Sequence, residues 1–368
     1  MMQFKSSAPG KLILFGEHAV VYGTHALTCS ISSLQTTVTC KVRKTQKKRP
    51  AIYFSNVKQM GPPFHLTSTD LTTLRVTKPN QHSNLSKYAL ANTISRFSPT
   101  LPPGIALDIQ VSGNLPIKSG LGSSASFSVA LAGALAASCG MTPCEPRSLL
   151  TSANSPKSGN MHWKRAVNEA AYSSECIFHT NPSGIDNSIC TFGGASLYSK
   201  SGGIEPVTLG KRPRLSALII DSGVKHSTKV AVEHVQKLYK KYPRLIEPAL
   251  TRVDEIALEA AFVLSHKIDY RRLNDLIDEN QYILNDIFDV GHEETDKIVK
   301  IAHKNGLHPK ITGGGMGGCL FALLPPSTSR SKKKNLVGLF KKNGFKAFVV
   351  SLGGEGVAVK KVNRFFPF

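Results

Sequence analysis

Apolar and polar positions alternate with period two over Ala106–Ser112 (Ala-Leu-Asp-Ile-Gln-Val-Ser), which predicts a half-buried strand. β-Branched and apolar runs at Leu27–Ser33 and Thr36–Val42 predict two more, and Ala8–Gly16 enters through a Pro-Gly turn and stays apolar. Helical patterns occupy Leu85–Arg96 and Met161–Phe178, the latter preceded by a polar loop at Ser152–Asn160. Leu215–Ile220 predicts another strand, and Ser227 or Thr228 stands where the next helix would be capped. From there the period turns helical over Lys229–Tyr242, Glu247–His266, Arg271–Asp289 and Glu293–Asn305. The tail alternates again, with strands expected at Cys319–Leu324, Ala347–Ser351 and Gly356–Lys360 around a basic helix at Lys332–Lys342. A strand-rich first half followed by long amphipathic helices predicts two domains, 1–225 and 226–368. No repeat of 20–50 residues is visible.

The most distinctive stretch is Pro116-Ile-Lys-Ser-Gly-Leu-Gly-Ser-Ser-Ala-Ser126, a glycine-rich turn that runs into a small-residue apolar helix. Gly120 and Gly122 let backbone lie close to a ligand and adopt φ > 0. Ser123 or Ser124 can cap the helix, whose first amides would then face an anion, most simply a phosphate. The hydroxyls of Ser119, Ser123, Ser124 and Ser126 offer hard oxygen ligands for phosphate or magnesium. Gly120-x-Gly122-x-x-Ala125 and Gly313-x-Gly315-x-x-Gly318 both fit a dinucleotide fingerprint, but neither sits between a strand and a helix as that motif requires. Neither is a Walker loop, because no Gly-Lys-Ser/Thr follows. One such loop alone would be read as a tight turn.

Composition narrows the class without naming a function. At 368 residues, 41% hydrophobic and 19% charged, the chain suits a globular protein with a sizeable core. No apolar run reaches the roughly 18 residues needed to cross a bilayer, and Met1–Ser7 lacks the apolar centre of a signal peptide. Seven scattered cysteines, odd in number and never spaced Cys-x-x-Cys, argue for reduced thiols in a cytosol-like compartment and against zinc. The net charge of +22 admits nucleic acid, an anionic membrane surface or anionic small substrates as partners. Its excess lies in Lys41–Arg49 and Arg330–Lys334, without interleaved aromatics, so solvated faces explain it better than a nucleic-acid platform.

Candidate chemistry is dispersed. Lys11, Glu17 and His18 lie within eight residues of an otherwise apolar segment. Glu175 stands near a helix C-terminus, where the dipole disfavours a carboxylate. Asp186 exits the turn His179-Thr-Asn-Pro-Ser-Gly-Ile-Asp186, where a turn-capping aspartate is the commoner explanation.

Taken together, four segments change that weighing. Ala8-Pro-Gly-Lys-Leu-Ile-Leu-Phe-Gly-Glu-His-Ala-Val-Val-Tyr-Gly23, Pro116–Ser126, His179–Asn187 and Lys310-Ile-Thr-Gly-Gly-Gly-Met-Gly-Gly-Cys319 resemble, in order and spacing, the motifs of the GHMP small-molecule kinases. The resemblance spans nearly the whole chain and weakens over 43–85, 152–165 and 326–345. It implies a two-domain α+β fold, with an N-terminal domain like ribosomal protein S5 domain 2 packed on a ferredoxin-like C-terminal domain. It further implies ATP- and Mg2+-dependent phosphorylation of the 5-hydroxyl of (R)-mevalonate, an early isoprenoid and sterol-precursor step. By the family pattern Ser119, Gly120, Leu121, Gly122, Ser123, Ser124 and Ala125 would hold ATP. Ser124 and Glu175 would hold magnesium, and Asp186 would accept the hydroxyl proton with Lys11 beside it. Glu17, His18, Ser183, Thr228 and Gly314 would lie about the acceptor. Two departures stand out: Gly314 replaces a customary alanine, and Met316 a glycine, which strains the loop if that position needs φ > 0.

Other family acceptors, such as phosphomevalonate, galactose or diphosphomevalonate, stay open, as does a non-catalytic anion binder built on the same fold. Intact Lys11, Ser124, Glu175 and Asp186 favour the enzyme. The resemblance also raises prenyl diphosphate inhibition and a homodimer, which the residues themselves do not specify. Lys11-Leu-x5-His18-Ala19 fits a peroxisomal address, yet those residues are wanted in the fold; the cytoplasm is the default.

Overall fold

A computed structural model of the chain describes residues 2–45, 51–55, 64–66, 85–97, 104–116, 119–141, 156–178, 182–209, 215–225 and 227–362. The fold is α+β with two sheets. The larger takes β1 (Met2–Phe15), β2 (Ala26–Lys44), β3 (Ala51–Ser55), β4 (Phe64–Leu66), β5 (Ile105–Gly113), β6 (Ala195–Ser199), β7 (Gly203–Val207) and β12 (Ala358–Lys361). Its path runs β12-β1-β2-β5-β3-β4, with β6 also on β2 and β7 on β6. The smaller sheet runs β11-β8-β10-β9, built from β8 (Ser216–Asp221), β9 (Pro309–Ile311), β10 (Cys319–Leu324) and β11 (Lys346–Ser351). β8 thus precedes residue 226 yet joins the second sheet, while β12 returns from the C-terminus to the first.

The helices are α1 (Leu85–Phe97), α2 (Ser123–Ser138), α3 (Pro156–Phe178), α4 (Ile185–Phe192), α5 (Thr228–Lys241), α6 (Pro243–Ser265), α7 (Tyr270–Tyr282), α8 (Glu293–His303) and α9 (Arg330–Lys342). Helix α2 buries every residue from Ala125 to Ala137, so it is apolar all round and sits in the middle of the first lobe. Burial of a side chain such as Phe127 or Leu131 contributes roughly 1.5–3 kcal/mol. None of the helices is long and apolar enough to cross a membrane, among the described residues.

The sequence places most elements within a few residues, and the differences have local causes. The two strands expected at Leu27–Ser33 and Thr36–Val42 are one, β2, whose register against β1 slips between Pro9/Gln35 and Gly10/Ile31. The slip absorbs Ser32, Ser33 and Leu34 as a bulge, which bends the strand without breaking it. α3 begins at Pro156, inside the expected loop, because proline is well tolerated in a first helical turn. α6 begins at Pro243 rather than Glu247, and it carries Pro248 inside the helix, where the amide bond to Arg244 O is lost. The pattern expected as one helix over Arg271–Asp289 is α7 followed by a π turn at Ile283–Ile287. The basic run at 41–49 is described only to Thr45, and Cys144 lies outside the described residues; the six described cysteines are free thiols.

Two cores meet along β1 and β2. Phe4, Ala8, Val38, Cys40 and Val42 pack with α1, α2 and α3. Leu12, Leu14, Phe15, Leu27, Cys29 and Ile31 pack with the second sheet and α5–α8. The crossover falls at the register slip, between Ala8 and Leu12. Lys11 therefore emerges where one core ends and the other begins, the line along which the site forms.

Candidate active site

The glycine-serine loop and α2 make one wall. Gly122, the residue before α2, is left-handed (φ 73, ψ 36) and gives no side-chain cap. This corrects the expectation that Ser123 or Ser124 caps the helix: both lie inside its first turn, and the amides at the positive end of a long dipole are left to an anion. Gly122 also has no room for a side chain, since a Cβ would stand 2.6 Å from Lys11 Cγ. Gly120 is left-handed as well (φ 78), and Leu121, buried, accepts a hydrogen bond from the Lys11 amide at 3.0 Å. Ser119 donates to Pro116 O at 3.0 Å, which closes the turn. Ser126 turns away from the ligand side: it donates to Ala8 O at 2.8 Å and accepts from the Thr36 amide at 3.2 Å, stapling α2 to β1 and β2. Ala125 is fully buried beside it.

Facing this wall, Lys11 Nζ lies 3.1 Å from Asp186 Oδ1. Asp186 sits in the first turn of α4, where the dipole favours its negative charge. Gly184, left-handed at φ 83, starts that turn, and Ser183 accepts a 3.4 Å bond from the Ile185 amide. Glu175, from the last turn of α3, is almost wholly buried and accepts from Ser124 Oγ at 3.1 Å and Ser128 Oγ at 3.0 Å. Its carboxyl is pushed up to about 7, first by loss of water and then by the negative charge of Asp186; the two serines and Lys11 pull the other way. A buried carboxylate that is hard to ionise, beside a second carboxylate and a hydroxyl, is an oxygen donor set whose negative charge the single Lys11 ammonium only partly offsets. Its chemistry suits a hard divalent cation such as Mg2+.

The third glycine loop closes the site from the second lobe. It leaves β9 at Thr312, whose hydroxyl donates to Ile13 O at 2.9 Å across the lobes. Gly313 faces the first glycine loop, a Cβ there standing 4.0 Å from Gly120 Cα. Gly314 lies against Thr228 at the start of α5: a Cβ would be 2.9 Å from Thr228 Cα. The absence of a side chain at Gly314 lets this loop lie that close. Met316 has φ 57, as feared from the sequence, and its amide donates to Val290 O at 2.6 Å. Val290 lies three residues past the π turn, after left-handed Asp289 (φ 52), and its own amide donates back to Leu284 O at 3.0 Å. Ser227 caps α5 by accepting from the Val230 amide, as expected, leaving Thr228 exposed at the helix entrance.

Glu17 and His18 lie deeper than loop surface. Glu17 Oε1 is 2.6 Å from Lys310 Nζ, both side chains having essentially no exposure. It is an ion contact, since neither carboxylate oxygen has a well-aimed hydrogen-bond donor. Lys310 also donates to Ile311 O at 2.9 Å and lies over Phe15 and Phe321, 5.8 and 5.6 Å from their ring centres. Burial pushes the Glu17 carboxyl up and the Lys310 ammonium down, while their mutual attraction opposes both. His18, left-handed at φ 63, holds its Nε2 2.8 Å from Gly314 O. Burial lowers its pKa to about 4, so near neutrality the ring donates from Nε2 and carries a lone pair on Nδ1, a buried atom with no partner.

The structure therefore brings Lys11, Glu175, Asp186 and Ser119–Ala125 together, with His18, Thr228 and Gly314 bounding them and Glu17 beneath. Residues 117–118 and 179–181 of the expected motifs lie outside the described residues. Ser128 and Lys310 had no role assigned from sequence. The signal for Ser128 is its i, i+4 spacing from Ser124 on one helix face; for Lys310 it is a lone cation between apolar positions of a strand.

Residues 84–194 match the GHMP kinases N-terminal domain and residues 257–354 the GHMP kinases C-terminal domain. A mevalonate kinase of Bos taurus is 34% identical, covering 96% of this chain and 94% of its own. The mevalonate kinase of Methanococcus jannaschii superposes with a TM-score of 0.72 at 22% identity, over 95% of this chain and 98% of its own. That of L. major, solved in complex with R-mevalonate, gives 0.71 at 24% identity, over 94% and 95%.

Proposed function

The chain belongs to the GHMP kinase family, and from that premise we propose that it transfers the γ-phosphoryl group of ATP to the 5-hydroxyl of (R)-mevalonate. The observation that carries the reading is the 3.1 Å Lys11–Asp186 ion pair, set between a helix N-terminus bared by Gly122 and the buried carboxylate of Glu175. Phosphoryl transfer asks for positioning and charge neutralisation: a phosphate cradle, a cation and a group to receive the acceptor's proton. The amides of Ser123–Ala125 would take phosphate oxygens. Ser124 and Glu175 would hold Mg2+, which supplies charge neutralisation at the phosphates. Asp186 aligns the acceptor hydroxyl and takes its proton, and Lys11 holds Asp186 in place and faces the developing negative charge. Thr228, exposed at the entrance of α5, and His18, bonded to Gly314 O, would bound the space for a small acceptor's polar groups. The substrate itself is carried over from the relatives, matched over nearly their whole length.

ADP release with mevalonate, phosphomevalonate, diphosphomevalonate, galactose and homoserine as acceptors, in the presence of Mg2+, tests this. Turnover on mevalonate, lost in Asp186→Ala and Lys11→Met, is the expected result. Turnover on a different acceptor would keep the fold and move the substrate. No turnover from folded protein that binds ATP would overturn the reading.

A further inference from the structure

Away from the cleft, three metal-ligating side chains converge from three elements of the second lobe. Asp278 projects from α7, His303 from the last turn of α8, and His308 from the connection into β9. Gly306, left-handed at φ 68, turns the chain back after α8, and the Leu307 amide donates to Ala302 O at 3.0 Å, so the two histidines flank a tight helix end. One ligand atom from each of the three lies within 4.8 Å of the others. His308 Nδ1 is 2.6 Å from Asp278 Oδ2 and His303 Nε2 is 3.5 Å from Asp278 Oδ1.

A simple hydrogen-bonded His–Asp pair accounts for half of this. It explains Oδ2 and His308 but leaves Oδ1, which is itself buried and has no hydrogen-bond partner although the side chain as a whole is 39% exposed. That orphaned oxygen faces an imidazole nitrogen too far away for a good hydrogen bond. We propose that Asp278, His303 and His308 form a binding site for a zinc-class divalent transition metal. Two imidazoles and one carboxylate suit such an ion, with the remaining coordination open to water on the exposed side. Magnesium would be a poor occupant, since it prefers an all-oxygen shell. The expectation against zinc drawn from the cysteines does not touch this cluster, which contains none.

The site would act on the frame of the third glycine loop. His308 precedes Lys310, the partner of Glu17, by two residues, and the Ile311 amide is tied to Gln281 Oε1 of α7 at 2.9 Å. A metal bridging α7, α8 and the entry to β9 would fasten the strand that launches Gly313–Gly318. It is a stabilising device, separate from the phosphoryl-transfer groups.

Equilibrium dialysis of Zn2+ into the full-length, tag-free chain tests it, with Mg2+ in excess so that hard oxygen sites are filled. Visible d–d absorption of Co2+ serves as the second readout. The expected result is uptake of one ion with a tetrahedral-type cobalt spectrum and a Zn2+-dependent rise in Tm. His303→Gln, at a half-exposed position, should fold normally and weaken binding by at least about tenfold. Asp278→Asn should do the same, and both should lose the Tm rise. Uptake, spectrum and Tm response unchanged in folded His303→Gln, or absent from the wild type, would overturn the proposal.

Discussion

The buried Glu17–Lys310 pair joins the first motif to the third and makes a sharp energetic prediction. At 2.6 Å and an effective dielectric constant of about 20, the two charges attract by about 6 kcal/mol. Removing both from water costs several kcal/mol per ion, so the pair adds little net stability over an apolar replacement. Breaking it is different, because one charge is then stranded where water does not reach. Glu17→Met and Lys310→Met singly should each cost about 3–5 kcal/mol, a large share of a typical domain's stability. The double variant Glu17→Met/Lys310→Met should lie near the wild type or above it. Urea denaturation followed by near-ultraviolet circular dichroism reads all four proteins. Burial holds Lys310 below its ordinary value of 10.5, so in Glu17→Met the folded state sheds the proton before the unfolded chain does. Its deficit should accordingly shrink as pH rises toward 10.5. Single variants within about 1 kcal/mol of the wild type, or costs that simply add in the double, would refute the reasoning.

Four other outcomes follow from the cleft. Glu175 stays protonated up to about 7 in the fold but only to its ordinary 4.5 when unfolded, so its contribution to metal-free stability is greatest below 4.5. It falls by about 3 kcal/mol as pH rises to 7, a decline that Glu175→Gln should abolish in pH-dependent melting curves. Because the same proton competes with a cation, Mg2+ affinity measured by calorimetry should drop as pH falls below about 7, and should not if Glu175 lies outside the metal site. Asp186→Ala and Lys11→Met should lower kcat by about 10²–10⁴ while nucleotide affinity, measured with a fluorescent analogue, stays within a few-fold of the wild type. Gly122→Ala forces a left-handed backbone costing about 1–2 kcal/mol and drives a Cβ against Lys11 Cγ. It should reduce both Tm and kcat, and an unaltered kcat would show that Lys11 need not hold its place.

What could be read in advance was whatever is carried by local pattern or by a contiguous motif. α2 declares itself through small apolar residues after two glycines, and β10 through six consecutive apolar positions that fall as expected at Cys319–Leu324. The Lys11–Asp186 pair was legible only through resemblance, since 175 positions of sequence separate its members and each has an ordinary explanation by itself. The rest was hidden because it depends on what packs behind a residue. Lys310 looks like a strand-edge cation until β10 and Phe15 cover it, and Glu17 looks like loop surface until Lys310 is placed beneath it. The bulge in β2 is invisible in its hydrophobic pattern, yet by shifting register between Pro9 and Gly10 it decides where one core ends and where Lys11 emerges. Met316 shows the same dependence in reverse. The sequence could name the strain of a left-handed methionine but not what holds it, which is a 2.6 Å bond to Val290 O. That carbonyl belongs to the connection that follows a π turn at Ile283–Ile287 and a left-handed Asp289 (φ 52), which no periodicity at 3.6 residues could distinguish from the end of an ordinary helix. The strained third loop and the irregular connection after α7 therefore meet: Val290 O accepts the amide of left-handed Met316, two residues from Gly314, whose backbone lies against Thr228 at the mouth of the site.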